Sequence, residues 1–393
     1  MTFDFDALID RRGTWSEKWN VAEGELPMWV ADMDFRTAPA VFRAICERAA
    51  HGIFGYTMQP DEWAEAYVGW WESRHGFRME KDWLVFTTGV IPAVSTAVRK
   101  LTTPAEKVAV LTPIYNTFFN SILNNGRVPM EIPLSLGRDG DGRPVYSIDW
   151  AAFEEGLADP QTTLLIFCNP HNPTGKIWDA DTLAKVGALC KKHGVTVLSD
   201  EIHCDIADPG KGYVPFASVN EVNRSISVTC LAPTKAFNLA GMHTAAVMAA
   251  DPFLRHKMWR GLNTDEVGEG GTFAFTAAIA AFTEGGEWLD ALNAYIRSNK
   301  DRADEFLREE LPGLRSVPSD ATYLMWIDIG SLTEDSEVFC DFLRAETGLF
   351  VCPGSWYRGD GNRFFRLNVA CPRSTLEDGL SRLKAGAEKW KNR

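Results

Sequence analysis

Three polar residues stand just beyond three separate apolar runs of the sequence. Lys235 follows the run 225–231, Asp200 follows the run 195–198, and Asn172 lies a few residues beyond the run 164–168. Taken alone, a lysine at such a place is most often a surface charge, and a lone aspartate is as often a solvated loop acid. Together, an amine, a carboxylate and an amide are the groups that bind pyridoxal phosphate (PLP). The amine forms an imine with the aldehyde, the carboxylate keeps the ring nitrogen protonated, and the amide binds the ring oxygen.

Further candidates have suitable chemistry but weaker patterns. Gly89, Val90 and Ile91 open a helix after a strand, where free amides and the helix dipole suit a phosphate, although many strand–turn–helix units look the same. Tyr115 follows another strand end and is either a core aromatic or a residue that stacks on the ring. Arg366 lies between apolar residues of a strand and is either an exposed edge charge or a bidentate clamp for a substrate carboxylate.

The composition narrows the class of protein. The net charge of −13 over 393 residues argues against a nucleic-acid surface and favours a small-molecule task. The eight cysteines stand singly with no CxxC pair, so we expect no metal site, and reduced cysteines indicate the cytoplasm. The N-terminal residues carry no signal-peptide pattern, and no apolar run approaches the roughly 20 residues that span a bilayer.

The elements that must position these residues follow from the apolar patterns. We expect helices over 38–50, with Thr37 as its cap, and over 61–74. From residue 84 onward, strands alternate with helices, and the predicted strands are 84–88, 108–112, 128–132, 164–168, 195–198, 225–231 and 244–249. Short apolar strands with helical crossovers predict an α/β fold with a mostly parallel sheet covered by helices on both faces. Ligands of such sheets bind at the carboxyl ends of the strands, where the candidate residues lie.

Beyond residue 282 a long polar helix, predicted over 287–310, leads into shorter alternating strands and helices. This change predicts a smaller α+β domain. We expect an N-terminal arm and helix (1–50) that belongs with the small domain, a large PLP-binding domain (51–282) and a C-terminal small domain (283–393).

The full set of motifs resembles a known family. The chain is similar to the fold-type-I PLP enzymes of the aminotransferase class I/II superfamily, over essentially its whole length, and most to the bacterial C–S lyase (cystathionine β-lyase-like) branch. The segments that carry the resemblance are 27–35 (PMWVADMDF), 54–57 (FGYT), 169–173 (NPHNP), 200–203 (DEIH), 234–241 (TKAFNLAG) and 366–368 (RLN).

The resemblance implies roles for particular residues. Tyr115 would stack on the ring and assist catalysis, Arg366 and Asn172 would bind the substrate, and Trp29 would line the substrate mouth. Tyr56 would reach the phosphate of a neighbouring subunit, so the family implies a homodimer with shared sites that acts on a small amino-acid substrate.

Three positions depart from the family's usual pattern. Ala232 stands where many relatives carry a serine that binds the phosphate, and His243 stands where aminotransferases carry an arginine. The phosphate is therefore expected to depend on Thr234, on backbone amides and on Tyr56. His203 stands where aminotransferases place a tyrosine that touches the ring oxygen, which disfavours a transaminase.

The resemblance implies a PLP-dependent β-eliminating C–S lyase that cleaves L-cystathionine or related S-substituted L-cysteines to a thiol, pyruvate and ammonia. Lys235 would remove the Cα proton, with Asp200 holding the ring cationic. One alternative is an aminotransferase that uses the same site. Another is a PLP-binding regulatory protein, although the intact set of Lys235, Asp200, Asn172 and Arg366 argues against lost catalysis.

Overall fold

The computed structural model describes residues 3–393 of the chain. Its strands are β1 Leu26–Pro27, β2 Leu84–Thr87, β3 Lys107–Thr112, β4 Val128–Arg138, β5 Pro144–Ile148, β6 Thr162–Cys168, β7 Thr196–Asp200, β8 Ser227–Leu231, β9 Ala245–Met248, β10 Arg315–Ser316, β11 Leu324–Asp328, β12 Leu349–Phe350, β13 Cys352–Pro353 and β14 Phe364–Asn368. Its helices are α1 Pro39–Ala50, α2 Asp61–His75, α3 Val90–Leu101, α4 Thr117–Leu123, α5 Trp150–Ala158, α6 Ala180–His193, α7 Glu221–Ile226, α8 Pro252–Thr264, α9 Thr272–Glu284, α10 Gly286–Glu310, α11 Ser336–Thr347 and α12 Arg373–Lys391.

The large sheet has eight strands in the order β2-β9-β8-β7-β6-β3-β4-β5. The pairs from β8 through β4 are parallel, whereas β9 and β5 run antiparallel to their neighbours. Strands β6, β7 and β8 are almost wholly buried, because helices cover both faces of the sheet. The predicted α/β fold with a mostly parallel sheet is confirmed.

A second, smaller sheet forms from the C-terminal part of the chain. Its four strands, in the order β10-β11-β14-β13, are all antiparallel. The N-terminal segment joins this part of the molecule, because β1 pairs in parallel with β12. Helix α1, in contrast, packs against α9, which precedes the strands of the smaller sheet in the chain. The domain boundaries at residues 50 and 282 remain a prediction.

Side-chain caps and glycines set several of the helix ends. Asp179 accepts a hydrogen bond from the Thr182 amide (2.7 Å) at the start of α6, and Gly194 ends that helix with φ +70°. The prediction for Thr37 is wrong: Ala38 occupies the N-cap of α1, no side chain caps this end, and the Thr37 hydroxyl has no partner among the described residues.

Part of one predicted strand is helical. Residues 221–226 form α7, because the Asn220 side chain accepts from the Asn223 amide (2.8 Å) and caps a helical turn ahead of β8. Strand β8 therefore begins at Ser227 rather than at Ser225. Helices α5, α8 and α9 were not predicted, although Asp149 and Asp251 cap the first two. None of the helices in residues 3–393 combines the length and the apolar character that a membrane span requires.

Candidate active site

Three adjacent strands bring the predicted amine, carboxylate and amide together. Asp200 is the last residue of β7, and its register partners on either side are Cys168 at the end of β6 and Cys230 in β8. Lys235 and Asn172 each lie four residues beyond the ends of β8 and β6. All three side chains line one cavity of about 310 Å³, because the carboxyl ends of parallel strands meet at one edge.

The start of α3 forms another wall of this cavity. Predicted site residues that line the cavity are Gly89, Val90, Ile91, Tyr115, Asn172, Asp200, His203, Thr234 and Lys235. Helix α3 has 12 residues and its first amides have no partners within the helix, so this end suits a phosphate. Helix α3 begins at Val90, directly after Gly89, which places these amides at the cavity wall.

The side-chain amine of Lys235 has a lowered pKa. Burial, and next the nearby guanidinium of Arg366, lower the pKa of Lys235 from 10.5 to about 8. Its Nζ donates a hydrogen bond to the Ala31 carbonyl over 2.7 Å. A substantial fraction of the amine is therefore neutral near pH 8, as a nucleophile or a base requires.

Asp200 is a buried carboxylate with few partners. Among the described residues it accepts one hydrogen bond, from the Ile202 amide at 3.2 Å, and burial raises its pKa to about 6. A carboxylate left this poorly satisfied inside a cavity needs a cationic or proton-donating partner. A protonated pyridine nitrogen meets that need, so the residues present fit PLP.

His203 lies in the same wall as a neutral ring. Burial lowers its pKa to about 3, so it carries no charge that would repel a cationic cofactor. Its ring packs edge-to-face on Tyr323 at 6.3 Å, and its Nδ1 has no hydrogen-bond partner among the described residues.

Arg366, on β14 of the smaller sheet, contacts Asn172 in the cavity wall but does not itself line the cavity. From β14 it donates through Nη1 to Asn172 Oδ1 (3.2 Å) and through Nη2 to the Trp29 carbonyl (3.0 Å). The side chain is almost fully buried, and its Nε has no partner in the described part of the chain. The structure therefore places Arg366 as a buried cation with free donor capacity and excludes the exposed edge charge.

The segment 29–35 is fixed beside the cavity by side chains from distant parts of the chain. Asn368 donates through Nδ2 to the carbonyls of Val30 and Asp32, at 2.6 Å each. Asn238 donates to the carbonyls of Met33 and Phe35 at 2.9 Å and accepts from the Met33 amide. Both asparagines lie in the family motifs, but their contacts with this segment could not be predicted from the sequence.

Besides Arg366, two further predicted residues do not line the cavity within this chain. Trp29 stacks on Phe350, with ring centroids 4.8 Å apart, and approaches the site through its carbonyl. Tyr56 is fully exposed and borders a separate surface concavity with Phe54. Such a position is compatible with a residue that serves another subunit, and that role stays a prediction.

The structure also adds residues to the cavity. Thr88, Ala31 and His243 line it, whereas Ala232 is buried in the core. Thr88 had a signal in the sequence, because its hydroxyl immediately precedes Gly89 at a strand end. Ala31 lies in the motif segment 27–35, but nothing in its apolar side chain indicates that its backbone carbonyl reaches the cavity.

Comparison with known proteins agrees with this geometry. The family model "Aminotransferase class I and II" matches residues 20–383. A cystathionine β-lyase, PatB, of Bacillus subtilis is 42% identical over 97% of this chain and 99% of that protein.

Two solved structures share the fold closely. Cystalysin of Treponema denticola, which contains pyridoxal 5'-phosphate, has a TM-score of 0.94 and 30% identity over 99% of this chain and 100% of that one. The PLP-bound C–S lyase of Staphylococcus hominis has a TM-score of 0.91 and 31% identity over 98% and 99% of the two chains. The chain belongs to the class I and II aminotransferase family of PLP-dependent enzymes.

Proposed function

We propose that this protein is a PLP-dependent C–S β-lyase that cleaves L-cystathionine or related S-substituted L-cysteines. The observation that carries the proposal is the single cavity in which the Lys235 amine and the Asp200 carboxylate face the same space. The names of the relatives support the reaction class, since PatB is a cystathionine β-lyase and the Staphylococcus hominis protein is a C–S lyase.

The cavity would hold PLP with its ring nitrogen toward Asp200. When bound, PLP supplies a cationic ring that withdraws electrons from the Cα of an attached amino acid. Asp200 would hold the proton on the ring nitrogen, and Asn172 would donate to the ring oxygen. Tyr115, which also lines the cavity, would cover the ring face.

Two residues of the chain would then act on the substrate. Arg366, with its fork of donors already held by Asn172 and the Trp29 carbonyl, would bind the α-carboxylate and orient the Cα–H bond. Lys235 would accept the Cα proton, since its lowered pKa provides a neutral amine near pH 8.

The elimination balances without any external oxidant or reductant. The Cα–H bond breaks with its proton passing to Lys235, the Cβ–S bond breaks with its electron pair leaving on sulfur, and a proton completes the thiol. The remaining aminoacrylate takes up water to yield pyruvate and ammonia. From L-cystathionine the thiol product is homocysteine.

The phosphate end of the cofactor would lie at the start of α3. The amides of Val90 and Ile91 and the hydroxyls of Thr88 and Thr234 supply donors there. We propose that Tyr56 of a second copy of this chain also binds the phosphate, so that the enzyme is a homodimer with shared sites. The exposed rings of Phe54 and Tyr56 support such an interface.

The free cysteines, seven of them buried, support a reducing, cytoplasmic location.

The proposal is tested by a substrate panel. Pyruvate release is measured for the purified holoenzyme with L-cystathionine, S-methyl-L-cysteine and other S-substituted L-cysteines. Lys235→Ala serves as the matched control for background release by free PLP. Turnover that depends on Lys235 supports the proposal, whereas equal rates in the two proteins contradict it.

A further inference from the structure

The carbonyl oxygen of Ala31 accepts two hydrogen bonds at the wall of the cavity. Lys235 Nζ donates one over 2.7 Å, and the hydroxyl of Tyr323 donates the other over 3.0 Å. Ala31 and Lys235 line the cavity, whereas Tyr323 lies behind this wall and is fully buried. One backbone carbonyl therefore connects the amine that would move the substrate proton to a phenol outside the cavity.

The Ala31 carbonyl belongs to a segment whose neighbouring carbonyls are already bound. Asn368 donates to Val30 and to Asp32 at 2.6 Å each, which fixes the chain immediately before and after Ala31. The carbonyl between them is left for Lys235 and Tyr323. The carbonyl that accepts from the lysine amine is thus fixed before any ligand binds, by the Tyr323 hydroxyl and by the two bonds from Asn368 to its neighbours.

Tyr323 is suited to act as a permanent donor. Burial raises the pKa of its phenol well above the ordinary value of 10, so the hydroxyl stays protonated across the working range of pH. Its ring packs edge-to-face on His203, and this packing does not depend on the hydroxyl. Removal of the hydroxyl alone is therefore a clean perturbation.

We propose that Tyr323 is a positioning residue for Lys235 and acts through the carbonyl of Ala31. Lys235 must leave this carbonyl to reach the cofactor, and its freed amine can return to it. With the Tyr323 hydroxyl present, the acceptor stays fixed and holds the amine at one place beside the substrate. Without it the amine samples more positions, and proton transfer at Cα slows.

The inference rests on the proposed role of Lys235 but not on the identity of the leaving group. The test therefore uses L-alanine, which has no leaving group at Cβ. The exchange of its Cα proton in D2O is followed by NMR for wild-type holoenzyme and for Tyr323→Phe. We expect exchange to fall about tenfold in Tyr323→Phe, because proton transfer is the step that depends on the amine's position.

Two further measurements separate positioning from a structural role. The melting temperature of Tyr323→Phe should match that of the wild type. The dissociation constant of its apoprotein for PLP should match the wild-type value within about twofold. The control is Tyr146→Phe, which removes a buried hydroxyl that donates to Asp360 away from the cavity. This variant should exchange the Cα proton at the wild-type rate.

Each outcome decides the inference. Exchange in Tyr323→Phe equal to wild type would overturn it, and so would a parallel loss of PLP affinity, because that marks a structural hydroxyl. Absence of exchange in the wild-type enzyme would remove its basis. If the wild type exchanges the proton but releases no pyruvate from S-substituted cysteines, the lyase proposal fails while the role of Tyr323 stands.

Discussion

Arg366, on β14 of the smaller sheet, donates a hydrogen bond across 3.2 Å to Asn172, in the loop that follows β6 of the large sheet. Arg366 is the proposed anchor of the substrate carboxylate, and Asn172 is the proposed partner of the cofactor ring oxygen. The bond therefore sets the position of the substrate relative to the cofactor before either is bound. A change at Arg366 should affect binding of the substrate more than the chemical step.

Arg366→Lys tests this relationship. A lysine keeps the charge but cannot contact Asn172, the Trp29 carbonyl and a carboxylate at once. We expect KM for L-cystathionine to rise about 10- to 100-fold, which corresponds to about 1.5–3 kcal/mol for a charged hydrogen bond. The control is Arg363→Lys, at a residue that pairs with Asp328 at the margin of the same strand. An unchanged KM in Arg366→Lys would contradict the assignment.

Asp200→Asn removes the charge proposed to keep the ring nitrogen protonated while preserving the shape of the side chain. Turnover should fall about 100- to 1,000-fold, because a preorganised electrostatic contact is lost, while PLP stays bound. Steady-state kinetics and the absorbance of the bound cofactor provide the two readouts.

A neighbouring carboxylate provides the control for Asp200→Asn. Glu201 is equally buried but accepts from Ser199 and from the Phe216 amide, outside the cavity. Glu201→Gln should lower the melting temperature with little effect on turnover. Equal losses of turnover in the two variants would show that burial, rather than contact with the ring nitrogen, explains the effect.

The lowered pKa of Lys235 predicts how the rate of its reaction with the PLP aldehyde depends on pH. The amine must be neutral to attack the aldehyde, and its pKa in the apoprotein is lowered to about 8 from 10.5. The rate of PLP capture by apoprotein should therefore rise as pH approaches about 8 and level off above it. Stopped-flow absorbance measures this rate, and Nα-acetyl-lysine, whose amine has the ordinary pKa, corrects for ionisation of PLP itself. A rate that keeps rising beyond pH 10 would show an unperturbed lysine.

Mixed dimers test the proposed contribution of Tyr56 from the partner subunit. Tyr56→Phe and Lys235→Ala should each be impaired alone, because every site lacks one residue. If Tyr56 serves the other subunit, a mixed dimer has one site with both residues intact. Random mixing of equal amounts should then restore about one quarter of the wild-type sites. No recovery after subunit exchange would place Tyr56 in its own subunit's site or outside any site.

The sequence predicted the core of the cavity because strand ends are local features. Asp200, Lys235 and Asn172 each follow an apolar run, and parallel strands bring such ends to one edge. The sequence predicts a strand from residue 225, although residues 225–226 end helix α7, because the apolar run conceals the short helix that Asn220 caps.

The contacts around Ala31 could not be predicted, for a physical reason. Its partners Lys235 and Tyr323 are 204 and 292 residues away in sequence, and a backbone carbonyl has no side-chain pattern to reveal it. The same applies to Arg366, whose burial depends on how the small sheet packs on the large one.

The most direct measurement of the central claim is the product balance from L-cystathionine without added keto acid. Purified holoenzyme is incubated with L-cystathionine, and pyruvate, ammonia and homocysteine are quantified with and without 2-oxoglutarate. The lyase assignment predicts equal amounts of the three products and no dependence on the keto acid. Turnover that requires 2-oxoglutarate and forms glutamate would contradict the lyase and identify an aminotransferase.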